Sequence, residues 1–258
     1  MRLFDSHAHL HFPGFAEDLD AVLERARAAG VVGMVTIGTD RETNRASVAL
    51  AEKLPDVYAT VGIHPHDAAE AVEADFEEME RLARGSASVV ALGEMGLDFY
   101  RNLSPPDVQA QVFRRQIALA RQVGKPVVLH CRDAHAETLA ILAEERVGDV
   151  GGVMHCFSGD VPIARRCLDL GLYLSLAGPV TYKNARALPD VARFAPADRV
   201  LIETDCPFLP PHPYRGQRNE PAYVALTAAR VAELRGEPDD ALAETTARNA
   251  ARLFRLPD

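Results

Sequence analysis

Eight short apolar runs, beginning 21 to 38 residues apart, restrict the fold of this chain more than any other feature. They cover residues 2–6, 31–37, 57–63, 88–94, 126–131, 151–155, 172–176 and 199–204. Each is rich in Val, Ile or Leu without clean polar alternation, as expected of strands covered on both faces of a parallel sheet. The spacing matches a strand-helix unit. The stretch 106–123 places Val108, Val112, Phe113, Ile117 and Ala120 on roughly one helical face. Gly30, Gly124 and Gly171 follow such stretches, where a left-handed cap favours glycine.

Eight units in 258 residues point to a single-domain α/β protein spanning 1–258, a (β/α)8 TIM barrel. An open doubly wound sheet has the same periodicity and stays open as the rival. The glycine-rich fingerprints of dinucleotide-binding and P-loop folds do not occur, which counts against nucleotide-binding versions of that rival.

Polar groups stand where these runs end. His7 and His9 follow Leu3-Phe4, two residues apart, so on an extended segment both project the same way. Glu94, His130, His155 and Asp205 end or follow four other runs. In a barrel this gathers them at the C-terminal rim of the strands, as a metal site. Imidazole with carboxylate suits Zn2+, Mn2+ or Mg2+. Six donor residues exceed what one catalytic zinc takes and suit two divalent ions sharing a carboxylate. Such a pair would activate water for attack on an ester, with Asp205 both binding one ion and accepting the proton. His64, in Gly62-Ile63-His64-Pro65, is placed to donate a proton to the leaving group. Arg101, Arg132, Arg215 and Arg218 are candidate phosphate contacts. His11, His66, His135 and His212 have no assigned role.

Bulk properties limit the alternatives. A net charge of −9 argues against coating nucleic acid through a broad basic face, although bound cations would reverse the sign locally. Four unpaired-looking cysteines, no apolar stretch of roughly 18–20 residues, and a direct entry into the first strand suggest a cytoplasmic protein with no membrane association. Cys131, Cys156 and Cys206 each follow a proposed ligand, so strand alternation turns them toward the helices. Residues 207–221 hold five prolines and form the longest irregular piece, a candidate substrate-contacting loop.

The ordered stretches Asp5-Ser6-His7-Ala8-His9-Leu10, Gly62-Ile63-His64-Pro65, Gly93-Glu94-Met95-Gly96-Leu97-Asp98, Leu129-His130-Cys131-Arg132-Asp133-Ala134, His155-Cys156-Phe157-Ser158-Gly159 and Glu203-Thr204-Asp205-Cys206-Pro207 resemble the TatD family of metal-dependent hydrolases, often described as deoxyribonucleases. The resemblance continues through Arg215-Gly216-Gln217-Arg218-Asn219-Glu220-Pro221 to Asn249-Ala250-Ala251-Arg252-Leu253-Phe254. It implies the closed barrel of the amidohydrolase type with two divalent ions. His7, His9, Glu94 and Asp205 would hold one, and Glu94, His130 and His155 the other. It also implies hydrolysis of DNA phosphodiesters, at single-stranded or frayed ends. Two other readings use the same residues. One is a two-metal hydrolase of carboxyl esters or amides, including D-aminoacyl-tRNA; the other is a non-enzymatic metal-bearing scaffold. No obligate protein partner is expected, since there is no charge block, repeat or amphipathic tail.

Overall fold

The computed structural model describes residues 1–256. Eight parallel strands follow one another around a single sheet in chain order: β1 (Leu3–Ala8), β2 (Val31–Thr36), β3 (Val57–Val61), β4 (Val89–Asp98), β5 (Val127–Arg132), β6 (Gly152–Met154), β7 (Tyr173–Leu176) and β8 (Val200–Ile202). The ring is completed just beyond β8, where Ala8 bridges Cys206 in parallel. There Asp205 N donates to His7 O at 2.9 Å and His9 N to Cys206 O at 2.8 Å. The barrel, and not the open sheet, is therefore the fold.

Helices α1 (Leu19–Ala28), α2 (Arg41–Lys53), α3 (Glu73–Gly85), α4 (Pro106–Val123), α5 (His135–Glu144), α6 (Val161–Asp169), α7 (Leu188–Phe194) and α8 (Val224–Arg235) connect or follow the strands, and α9 (Asp239–Phe254) ends the chain. None of these helices is long and apolar enough to cross a membrane. α4 has the bounds read from the sequence and stops at Gly124, whose φ of 70° gives the left-handed cap. Its buried face holds Phe113 and Ile117, each contributing about 1.5–3 kcal/mol of apolar burial. Gln109 and Gln116 are also buried on it, which apolar periodicity could not show.

The core has two layers. The larger lies between strands and helices and includes Leu23, Val48, Phe76, Ile117, Leu142 and Val191. The smaller joins Phe4, Val35, Val90, Val128, Val153, Tyr173 and Leu201, one from each of seven strands, to Ala250, Leu253 and Phe254 of α9. This is the barrel interior, and α9 packs against its lower end. The upper end is left for polar side chains.

Strand ends depart from expectation in ways that matter for those side chains. β1 continues to Ala8, so His7 lies within it. β4 runs four residues past Glu94 to Asp98, because Met95–Asp98 pair with Leu129–Arg132 of β5. Close approach at Gly96 permits this: a Cβ there would overlap the carbonyl oxygen of His130. β6 and β8 are short, so His155 and Asp205 sit in the turns beyond them. The alternation rule consequently fails for Cys156, which has a φ of 41° and lines the cavity above the barrel instead of facing the helices. Cys131 also borders the cavity, and burial raises its thiol to about 11. Cys206 and Cys167 are core residues.

Candidate metal centre

All six proposed donor residues meet at the upper end of the barrel, around Glu94. One of its carboxylate oxygens, Oε2, faces the first pair of histidines, 3.4 Å from His7 Nε2 and 4.0 Å from His9 Nε2. These two imidazole nitrogens are 3.3 Å apart. Asp205 Oδ1 completes the group, 3.4 Å from His9 Nε2 and 3.6 Å from His7 Nε2. The other oxygen, Oε1, lies 2.9 Å from both His130 Nδ1 and His155 Nε2, and 3.6 Å from His64 Nε2. The rings of His7 and His155 stack at 3.9 Å between the two groups.

Four donor atoms held at metal bond lengths around a tetrahedral ion are separated by about 3.3–3.6 Å. His7, His9 and Glu94 come near that requirement, at 3.3 to 4.0 Å, and Asp205 lies 3.4 and 3.6 Å from the two histidines. A nitrogen-only contact such as His7–His9 gives little by itself, because two neutral imidazoles offer at most one proton between their facing lone pairs. His7, His9 and Glu94 therefore form a group able to hold a metal ion, and Glu94 also belongs to a second such group with His64 and His130.

The electrostatics agree. Burial would raise Glu94, yet His155 and His7 hold it well below the usual carboxylate range. Burial would lower His155, and Glu94 and Glu203 outweigh it, so the ring is raised well above its ordinary value. Burial and the neighbouring His155 lower His7. Asp205, which burial would raise, is held down by His9 and His7.

A surrounding shell aims these groups. Glu203 Oε1 accepts from Cys156 N at 2.7 Å and stands 3.2 Å from His155 Nδ1. Asp98 Oδ2 lies 3.2 Å from His130 Nε2 and 2.9 Å from His66 Nε2. Asp5 accepts from Thr204 N at 2.9 Å and Thr204 Oγ1 at 2.6 Å, tying β1 to the turn that carries Asp205. The buried glutamines hold backbone: Gln109 Oε1 accepts from Asp98 N, and Gln116 bonds both N and O of Ile63, which fixes the entry to His64. Sequence reasoning passed over Asp5, Asp98, Glu203 and His66. The signal was an acidic residue ending an apolar run, as Glu203 follows Leu201-Ile202.

His64 joins the second group, which the sequence left open. Its Nδ1 accepts from His66 N at 3.1 Å, leaving the proton on Nε2, which faces Glu94. Burial and the neighbouring His130 push it well below its ordinary value. Its Nε2–H is thus a neutral hydrogen-bond donor.

A cavity of about 830 Å³ opens above both groups and includes His9, Glu94, His130, His155 and Asp205 in its wall. Arg101 and Arg132 line it as well. Arg132 sits 3.9 Å over the Tyr100 ring. Arg215 lies outside the lining, over Tyr182 at 4.3 Å, and Arg218 is engaged by Asp18 at 2.7 and 2.8 Å. Of the four candidate arginines, the cavity wall therefore holds Arg101 and Arg132, whereas Arg218 is paired at the surface and Arg215 lies away from the wall. His11 and His66 line the cavity, and His135 and His212 do not.

The family described as TatD related DNase matches residues 4–255. The chain belongs to the TatD family. It is 47% identical over 254 residues to the uncharacterized metal-dependent hydrolase YabD of Bacillus subtilis (strain 168), covering 98% of this chain and 99% of that one. It is 41% identical to the 3'-5' ssDNA/RNA exonuclease TatD of Enterobacter lignolyticus (strain SCF1), covering 98% of each. The crystal structure of YJJV, a TatD homologue from Escherichia coli K12, superposes with a TM-score of 0.94 at 34% identity, covering 99% of both chains. This TatD-family barrel is a metal-dependent hydrolase with His and Glu groups able to bind metal.

Proposed function

We propose that this protein hydrolyses phosphodiester bonds in DNA, at single-stranded or frayed ends, using two divalent ions. His7, His9, Glu94 and Asp205 would hold one ion, and Glu94, His130 and His155 the other. The observation that carries this reading is the division of Glu94, one oxygen to each histidine group. When bound, such ions supply Lewis acidity toward a water and a phosphoryl oxygen.

The chain's own groups do the rest. Asp205, held ionised and lining the cavity, accepts a proton from the attacking water. His64 offers its Nε2–H to a substrate oxygen. Arg101 and Arg132 supply positive charge: among the described residues, neither forms a side-chain ion pair with a carboxylate within 4.0 Å. Net charge is −9, so phosphate attraction is confined to the cavity. A concave mouth admits a strand end more readily than a paired duplex. The exonuclease name of the Enterobacter relative supports the same substrate class.

The test is cleavage of a 3′-labelled single-stranded oligonucleotide in Mg2+ or Mn2+, beside aminoacyl-tRNA and carboxyl-ester substrates. Shortening is expected, abolished by chelation and by Asp205→Asn. Equal cleavage by Asp205→Asn preparations would assign it to a contaminant, and ester or tRNA turnover without DNA cleavage would replace the reading.

A further inference from the structure

Two phenylalanines at the rim of the cavity remain largely uncovered, although most large apolar side chains here are buried. Phe12 is 38% exposed and Phe208 is 44% exposed. Both line the cavity. They pack edge to face with centroids 5.2 Å apart, and Phe208 meets the His9 ring at 5.7 Å. Each is fixed by a turn to a proposed ligand: Phe12 N donates to His9 O at 3.0 Å, and Phe208 N to Asp205 O at 2.9 Å. Asn219 Nδ2 donates to Phe208 O at 2.6 Å and to Thr204 O at 2.8 Å, bracing the loop from within.

Strand order places this pair opposite the arginines. Phe12 and Phe208 follow β1 and β8, which adjoin, whereas Arg101 follows β4 and Arg132 ends β5, halfway round the ring. The cavity therefore has an apolar aromatic wall and a cationic wall, with the carboxylates and histidines between them.

We propose that Phe12 and Phe208 form a stacking surface for the nucleobase beside the scissile phosphodiester. The proposal rests on the nucleic-acid reading above and specifies how that site selects its substrate. A base inside a duplex has both faces stacked, whereas a base at an unpaired strand end is free to turn a π-face to this wall. Phenyl rings carry no hydrogen-bonding groups, so all four bases are accepted alike. The wall selects for the presence of a base and leaves its identity unread.

The experiment compares an unmodified single-stranded oligonucleotide with one whose two terminal nucleosides are abasic, with Mn2+ present. In the wild-type protein, kcat/KM favours the unmodified strand by about tenfold or more, mainly through KM. The Phe12→Ala/Phe208→Ala variant brings the two substrates to within about twofold, with metal content per chain unchanged. The Phe12→Leu/Phe208→Leu variant keeps the apolar packing, guards against misfolding, and loses most of the preference too. Equal cleavage of both strands by the wild type, or a preference retained in both variants, overturns the stacking surface and leaves the nuclease reading standing. Failure of the metal-loaded wild type to cleave either strand removes the nuclease reading and the stacking surface together.

Discussion

Glu203 Oε1 lies 3.2 Å from Nδ1 of His155, and this leaves Nε2 of the same ring facing Glu94 Oε1 at 2.9 Å. A carboxylate behind a histidine fixes its tautomer and direction. Glu203→Gln is expected to weaken the His130–His155 metal site about 10- to 100-fold, with the His7–His9 site little changed. Titration calorimetry with Mn2+ separates the two. Wild-type affinity at both sites would mean that packing alone orients the ring.

Because Glu94 faces both groups, its loss should differ in kind from loss of a single histidine. Glu94→Ala is expected to bind less than about one ion per chain, whereas His9→Ala retains about one. Elemental analysis after dialysis against dilute metal reads this directly. Equal stoichiometry in the two variants would exclude a shared carboxylate.

Metal binding should release protons. Burial opposes charge on His155 and His130, but Glu94 with Glu203, and Asp98 with Glu94, raise the two rings above their ordinary value. They therefore keep their protons to higher pH than an ordinary imidazole, and an ion must displace those protons. Affinity falls as pH falls, and rises until those raised values are passed. Calorimetric heats measured in buffers of different ionisation enthalpy should differ; identical heats would refute the release.

Asp5 gives the opposite sign in stability. Burial, only partly opposed by the donors of Thr204, raises its carboxyl from 3.8 to about 8. Between those values the folded state binds more protons than the unfolded one, so the Asp5 contribution diminishes as pH rises and levels off above about 8. Asp5→Asn removes this dependence. Denaturation midpoints in chelator at pH 5 and pH 9 should show the wild type losing ground to the variant at the higher pH.

The barrel was legible because a parallel strand covered on both faces must be apolar throughout, and eight such runs recur at strand-helix spacing. His7, His9, Glu94, His130, His155 and Asp205 stood out for the same reason: each is a polar group where an apolar run gives way. What sequence could not supply was anything depending on neighbours from distant strands. The extension of β4 to Asp98 follows from pairing with β5, and the exposure of Cys156 from the early end of β6. The buried roles of Gln109 and Gln116 exist only because backbone groups of other elements need partners there. His64 reads as a loop histidine until burial beside His130 makes it neutral. The pairing of Arg218 with Asp18, 200 residues away, could not be read from the sequence. Local pattern determined the strands and the kinds of side chain at their ends. Tertiary closure decided which atoms face one another, since distance and desolvation belong to pairs of residues and not to either one alone.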